Sequence, residues 1–186
     1  MKSIEQVLID WVELCEQLDV PYAVMGGIAV RIHGIPRPTY DVDLTIAADA
    51  NCLERIFVEA EKLGYSIPDA YRNGWLDILA GMPIAKIRTW LEEGNGVDVD
   101  LFIVDSEFQK SLMSRRTPVE LDGRRIQVVT PEDLVLLKLI AHRPRDLGDI
   151  YDVRFMQGQL DESYLRHWAA ALEITYRLEK VLSESL

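Results

Sequence analysis

The chain has 186 residues, of which 48% are hydrophobic and 27% are charged. This composition is ordinary for a folded protein and excludes bulk disorder, and the length suffices for one domain with a substantial core. The formal net charge of −11 argues against nucleic-acid binding through bulk charge. No apolar run reaches the ~20 residues that span a bilayer, and the N-terminus lacks a signal-peptide pattern, so we expect a cytoplasmic protein.

Helices and short strands are predicted to alternate in the N-terminal half. Apolar residues from Ile4 to Leu18 recur at helical spacing and indicate an amphipathic helix over residues 3–18. A short apolar run before Gly26-Gly27 is typical of a buried strand, and the two glycines permit a tight turn into a helix. In order, the following predicted elements are a strand over 22–25, a helix over 28–33, a strand over 40–46, a helix over 51–63, a short strand over 65–67 and a weak helix over 68–79.

Two hairpins and several helices are predicted for the C-terminal half. Strands over 84–91 and 97–104 flank Gly94-Asn95-Gly96, and Asn-Gly between alternating apolar residues is a strong hairpin signal. Asp122-Gly123 predicts a second turn, and Thr130-Pro131 followed by acidic residues is typical of a helix start. The remaining predicted elements are a helix over 106–114, strands over 119–121 and 125–129, and helices from 130, over 146–156 and over 162–183.

Two aspartates lie two residues apart on the predicted strand 40–46. Side chains at i and i+2 of a strand share one face, so Asp41 and Asp43 project together while Val42 enters the core. The predicted strand 97–104 repeats this alternation with Asp98 and Asp100. Two unit charges 4 Å apart repel by about 4 kcal/mol at an effective dielectric near 20, so a cation is expected there. Oxygen ligands without a nearby histidine or cysteine favour Mg²⁺ or Mn²⁺ over Zn²⁺.

The Gly26-Gly27 turn is the candidate phosphate site. Backbone N–H groups at a glycine turn that opens a helix form an anion-binding position, and a triphosphate could bridge this turn and the metal ions. Each signal alone has an ordinary explanation, because an isolated Gly-Gly is usually a turn and an isolated Asp-x-Asp is often a solvated strand edge. Together they support each other.

These motifs resemble those of a known superfamily. Gly26-Gly27 followed by the segment Arg37–Leu44 resembles the signature of polymerase-beta-like nucleotidyltransferases, in which a Gly-Ser or Gly-Gly turn precedes an Asp-x-Asp strand. The segment from Thr130 through Lys138 to Asp149 resembles the region after the catalytic core in the AbiEii-like toxin branch. The two resemblances together cover most of residues 20–152.

The resemblance implies a nucleotidyltransferase fold and a set of catalytic acids. The fold would be α/β (α+β), with a small mixed sheet flanked by helices in a core over residues 1–130 and a C-terminal helical segment over 131–186. The implied metal ligands are Asp41, Asp43 and a third acid on the strand 97–104. We prefer Asp100 because it directly precedes an apolar run, as the third acid of the family does, and Asp98 stays open. The third acid would act as general base or position the attacking hydroxyl.

The resemblance also implies residues that bind the nucleotide. Gly26 and Gly27 would bind phosphate through their amides, although Gly27 stands where many relatives have serine, and Thr39 could supply a hydroxyl instead. Lys138 and Arg145 would neutralise phosphate charge. In the alternative interpretation Lys138 is a helix-surface residue and Arg145 pairs with Asp149.

The favoured function is Mg²⁺-dependent transfer of a nucleoside monophosphate from an NTP to an acceptor hydroxyl, with release of pyrophosphate. The resemblance allows an RNA 3′ end, a protein side chain or a small molecule as acceptor, and allows a cognate toxin or antitoxin partner. One alternative is a catalytically inactive relative that binds such a partner. Another is a nucleotide-sugar glycosyltransferase with an Asp-x-Asp motif, for which the chain is short.

Overall fold

The computed structural model describes residues 2–89 and 96–184. Within these ranges the chain forms nine helices and eight strands. The helices are α1 (Ile4–Gln17), α2 (Gly26–His33), α3 (Ala50–Lys62), α4 (Asp69–Arg72), α5 (Glu107–Arg115), α6 (Pro131–Ala141), α7 (Pro144–Gln157), α8 (Glu162–Ala171) and α9 (Thr175–Ser183). The strands are β1 (Tyr22–Val24), β2 (Asp41–Ile46), β3 (Tyr65–Ser66), β4 (Asp77–Leu79), β5 (Met82–Thr89), β6 (Asp98–Ile103), β7 (Thr117–Leu121) and β8 (Arg124–Val128).

The strands form one mixed sheet in the order β3-β5-β6-β2-β1-β8-β7, and β4 pairs with β5 outside this path. β2 runs parallel to β6 and β1 runs parallel to β8, whereas the other neighbours are antiparallel. The predicted mixed sheet with flanking helices is therefore confirmed. β2 and β6 lie side by side near its centre, and they are the strands on which the sequence places its aspartates.

The central strands have one apolar and one acidic face near their N-terminal ends. Val42 and Leu44 on β2, and Val99 and Leu101 on β6, are fully buried. Burial of each such side chain stabilises the fold by about 1.5–3 kcal/mol. Because side chains alternate along a strand, this burial fixes the register of both strands and turns the intervening aspartates to the opposite face.

Several local predictions differ from the structure. Within the predicted helix 68–79, only α4 is helical, since Gly74 takes φ +80° and β4 follows it. α2 begins at Gly26, two residues earlier than predicted. The predicted helix 162–183 is interrupted between α8 and α9, where Glu173 takes a left-handed φ of 58°.

The two predicted hairpins have different outcomes. β7 and β8 pair antiparallel around Asp122-Gly123, as predicted. β5 and β6 also pair antiparallel, but Gly94 and Asn95 of the predicted Asn-Gly turn lie outside the described residues. Among the helices in the described ranges, none combines the length and the apolar character needed to cross a membrane.

Candidate active site

Four carboxylates lie on one face of the central strand pair. In the parallel register of β2 and β6, Asp41 is opposite Asp98 and Asp43 is opposite Asp100. Neighbouring strands are about 4.8 Å apart, so each aspartate has another in the adjacent strand. The structure therefore brings Asp41, Asp43 and Asp100 together, although Asp100 is more than fifty residues away along the chain.

The two candidate third acids have different partners on β5. Arg88 donates two hydrogen bonds to Asp98, from Nε to Oδ1 at 2.5 Å and from Nη2 to Oδ2 at 2.9 Å, and this guanidinium lowers the pKa of Asp98. Lys86 Nζ lies 3.6 Å from Asp100 Oδ2, a looser ion pair. Burial raises the pKa of Asp100, an effect that Lys86 opposes and Asp41 adds to. Asp98 is thus neutralised by Arg88, while Asp100 remains available to the site.

The Asp43 side chain packs closely against the Gly26-Gly27 turn. Gly26 has φ +61°, and a Cβ added there would lie 1.7 Å from Asp43 Oδ2. Both the backbone conformation and the space therefore require glycine at position 26. Burial and the neighbouring carboxylates of Asp41 and Asp100 raise the pKa of Asp43 to about 7, against the opposing effect of Lys138 and Arg143.

The N-terminus of α2 faces these carboxylates. The helix begins at Gly26, and its N-cap residue Met25 provides no side-chain hydrogen bond to the first turn. The first amides of a helix lack intrahelical acceptors and attract anions. Thr39 lies beside this turn, and its Oγ1 donates a hydrogen bond to Asp41 Oδ1 at 2.8 Å.

Two cavities meet at the carboxylates. The first has a volume of about 280 Å³, and its polar lining includes Asp41, Asp43, Asp100 and the Gly26 turn. Apolar side chains also line it: Leu79, Met82, Phe102, Leu134, Leu137 and Ile140. The second cavity, of about 520 Å³, shares Asp41, Asp100, Leu79 and Arg143 with the first and adds Lys86 and Arg88. The acids thus lie between a largely apolar chamber and a more highly charged groove.

The structure places Lys138 inside the fold. This α6 residue is buried and lines the first cavity, so it is not a helix-surface residue. Its Nζ lies 2.6 Å from Asp149 Oδ2 and 3.1 Å from Asp146 Oδ1. Arg37 also binds Asp149, from Nε to Oδ1 at 2.6 Å and from Nη2 to Oδ2 at 2.7 Å. The Lys138 charge is therefore already balanced by two carboxylates.

Arg143, rather than Arg145, lines both cavities. Arg145 is exposed on α7 and lines neither cavity, and the cations bound to Asp149 are Arg37 and Lys138. Arg143 is the N-cap of α7, and its Nε donates to Asp146 Oδ2 at 2.9 Å, which fixes its guanidinium. The sequence signal was the helix start Arg143-Pro144, with an acid three residues after the arginine.

The acids differ from a preformed metal site in one respect. Among the described residues, no group of three or more histidine, cysteine, aspartate or glutamate side chains is spaced to hold a metal ion. The donor set is nevertheless one of carboxylate oxygens, which suits Mg²⁺ or Mn²⁺. Binding of one ion by Asp41, Asp43 and Asp100 requires their carboxylates to turn toward one another.

Three solved structures resemble this fold. The lincosamide antibiotic adenylyltransferase LnuA, bound to lincomycin, has 17% identity and a TM-score of 0.56, covering 83% of this chain and 98% of its own. ANT(2″)-Ia in complex with adenylyl-2″-tobramycin has 13% identity to this chain and a TM-score of 0.58. The match covers 91% of this chain and 97% of ANT(2″)-Ia. An antigenic nucleotidyltransferase-like protein from Paracoccidioides brasiliensis has 21% identity to this chain and a TM-score of 0.50. The match covers 80% of this chain and 74% of that protein. Identities this low show the shared fold alone.

The family assignment comes from the sequence of nearly the whole chain. No curated protein sequence gives a match. The model of a family described as nucleotidyltransferase of unknown function (DUF6036) matches residues 3–183. The fold agrees with this match and confirms the resemblance to polymerase-beta-like nucleotidyltransferases. The chain therefore belongs to the DUF6036 family of nucleotidyltransferases.

Proposed function

We propose that this protein transfers a nucleoside monophosphate from an NTP to an acceptor hydroxyl, using Mg²⁺ or Mn²⁺ held by Asp41, Asp43 and Asp100. The observation that carries the proposal is the register of β2 and β6, which places Asp43 opposite Asp100 at the N-terminus of α2. Carboxylates and free helix amides in one place suit a substrate that arrives as a metal-bound polyphosphate.

Each group of side chains has a defined task in this proposal. A bound divalent ion neutralises charge on the transferred phosphoryl oxygens. The amides of Gly26 and Gly27 bind phosphate oxygens, and Arg143, held in place by Asp146, supplies positive charge next to them. Lys138, whose charge is balanced by Asp146 and Asp149, opposes the rise in the pKa of the Asp43 carboxyl.

Asp100 is the proposed general base. It lies where the two cavities meet, so it can face a nucleotide in one and an acceptor in the other. Burial raises the pKa of the Asp100 carboxyl in the metal-free protein, and as a carboxylate Asp100 can accept a proton. As the acceptor oxygen bonds to the α-phosphorus, the bond from that phosphorus to the pyrophosphate oxygen breaks, and the hydroxyl proton passes to Asp100.

The acceptor classes are an RNA 3′ end, a protein side chain and a small molecule. The structures of LnuA and ANT(2″)-Ia contain small antibiotic molecules, and the net charge of −11 disfavours RNA. These two observations support a small hydroxyl-bearing acceptor. Transfer to co-purified RNA or protein, including a toxin or antitoxin partner, would instead identify a macromolecular acceptor.

The test compares two neighbouring acids on the same strand. Labelled NTPs are incubated with Mg²⁺ or Mn²⁺, the protein, and acceptor pools of RNA, protein and small molecules. We expect Asp100→Asn to abolish transfer and Asp98→Asn to retain most of it, because Asp98 is neutralised by Arg88. Equal loss in both variants would reject Asp100 as the specific base, and the absence of transfer by the wild type to any pool would count against the enzyme.

A catalytically inactive, partner-binding protein is the second candidate function. It is favoured by the observation that no three acids in the described ranges are already spaced to hold a metal ion. Calorimetric titration with Mn²⁺ and a non-hydrolysable NTP distinguishes the two candidates. Binding of both ligands supports the enzyme, whereas binding of neither, with a stably co-purifying protein, supports the second candidate.

A further inference from the structure

We propose that Thr39 is a positioning residue for Asp41, and that position 27 is glycine in order to leave room for the Thr39 side chain. The proposal rests on the proposed function in one respect, since it takes Asp41 to be a metal ligand. Its steric part depends only on the contact between residues 27 and 39.

The hydroxyl of Thr39 donates a hydrogen bond to the carboxylate of Asp41. Its Oγ1 lies 2.8 Å from Asp41 Oδ1, and the residue is partly buried. The preceding Arg37 is anchored by its two hydrogen bonds to Asp149. The segment that carries Thr39 is thus fixed to α7, and the donor reaches Asp41 from a defined direction.

Gly27 needs a different explanation from Gly26. Among the described residues, the glycines with positive φ include Gly26 but not Gly27. Gly27 lies inside α2, where glycine is a poor helix former and its backbone conformation would suit alanine. Glycine is therefore not required there by the backbone.

The space around Gly27 supplies the reason. A Cβ added at this position would lie 2.3 Å from Thr39 Oγ1 and 2.8 Å from Thr39 Cβ. Both separations are far below van der Waals contact, so any side chain at position 27 must displace Thr39. The Thr39 side chain occupies this space and directs its hydroxyl toward Asp41.

The hydrogen bond has a consequence for metal binding. It restrains the Asp41 carboxylate through Oδ1, and Oδ2 would be the oxygen available to a bound ion. Groups that orient a ligand in this way affect metal affinity by about 10- to 100-fold when removed. Thr39 therefore acts through Asp41 rather than on the nucleotide phosphates.

The first experiment measures Mn²⁺ affinity by calorimetry without nucleotide. Thr39→Val keeps the shape of the side chain and removes the donor, so we expect affinity to fall about 10-fold. Thr39→Ser keeps the hydroxyl and is expected to stay close to the wild type. Gly27→Ala displaces Thr39 and is expected to weaken Mn²⁺ binding as Thr39→Val does.

The second experiment tests the steric contact by melting temperature without metal. Gly27→Ala should lower the melting temperature, and combining it with Thr39→Gly should lower it by less than the sum of the two single changes, because the clash is gone. Additive shifts would overturn the steric part. A rise in melting temperature for Gly27→Ala alone would also overturn it.

The remaining outcomes separate this proposal from the proposed function. If the wild type binds Mn²⁺ and Thr39→Val binds it equally well, the role of Thr39 is overturned and the enzyme is not. If Thr39→Val changes only the KM for NTP, Thr39 is a phosphate contact instead. If the wild type binds no Mn²⁺, the proposed function fails, and the metal-positioning role of Thr39 fails with it.

Discussion

At the scale of single residues, a substitution of Asp43 tests whether this acid serves to bind a ligand or to stabilise the fold. It has carboxylates beside it at Asp41 and Asp100, and these help to raise its pKa. Asp43→Asn removes one of the repelling charges, so we expect an unchanged or slightly higher melting temperature without metal. The same variant should lose the stabilisation that Mg²⁺ plus NTP gives the wild type, measured by thermal unfolding.

Asp133 provides the matched comparison. This fully buried acid accepts hydrogen bonds from Tyr164 at 2.6 Å and Thr130 at 2.7 Å. Asp133→Ala leaves both hydroxyls without this acceptor and should cost about 1–3 kcal/mol in the free energy of unfolding. A comparable loss for Asp43→Asn in the absence of metal would identify Asp43 as a structural acid.

The orientation of the acidic residues could be predicted from the sequence, because side chains alternate between the two faces of a strand. A period of two places Asp41 and Asp43 on one face of their strand, and Asp98 and Asp100 on one face of theirs, before any packing is known. The parallel register of β2 and β6 then joins the two pairs. The ion-pair partners of the basic residues could not be predicted from the sequence, because they depend on how α6 packs on α7. Lys138 thus lies buried between two carboxylates, and Arg143 reaches the cavities where Arg145 does not.

At the scale of elements, the break between α8 and α9 shows where sequence signals were missing. Ile174 N–H donates to Ala169 O at 2.9 Å and Glu173 N–H to Ala170 O at 3.2 Å, the two bonds of a Schellman motif. Glycine usually occupies the left-handed position of this motif, and here that position is Glu173, with φ 58°. Without glycine or proline, residues 162–183 have the pattern of one continuous helix.

This conformation predicts a stabilising substitution. Glu173→Gly removes the steric strain of a left-handed non-glycine residue, partly offset by the greater freedom of glycine in the unfolded chain. We expect a gain of about 0.5–1 kcal/mol in the free energy of unfolding, measured in urea. Ala170→Gly, within α8, is the control and should cost about 0.5–1 kcal/mol. A loss of stability in both variants would show that the strain is absent.

At the scale of the whole molecule, buried charges join α6 and α7 to the segment that precedes β2. Asp149 on α7 binds Lys138 on α6 and Arg37, which precedes β2. A second connection runs from α7 to the end of α2, where Gln157 Nε2 donates to His33 O at 2.7 Å. The division of the chain at residue 130 stays a prediction, but these contacts show that residues from both sides of it build the site.

The charge network predicts how stability depends on pH. Burial alone would raise the pKa of Asp149, but the hydrogen bonds from Arg37 and Lys138 outweigh it, so the pKa lies below the ordinary value of 3.8. A carboxylate with a lowered pKa stabilises the fold above its unfolded pKa, and this stabilisation is lost as the pH falls through the folded pKa. Asp149→Asn should therefore cost about 3 kcal/mol between pH 5 and 8, because it removes a carboxylate from buried Lys138, and the difference from the wild type should shrink below pH 4.

Urea unfolding of both proteins at several pH values measures this difference. Glu107→Gln is the control, since Glu107 forms an exposed pair with Lys110. The change that Glu107→Gln causes in the free energy of unfolding should stay below about 1 kcal/mol at every pH measured. An Asp149→Asn effect no larger than that of the control, or one that grows as the pH falls, would show that the network does not hold α6, α7 and the segment before β2 together. In that case the hydrogen bonds of Arg143 to Asp146 and of Thr39 to Asp41 would have to hold these side chains at the site without the network.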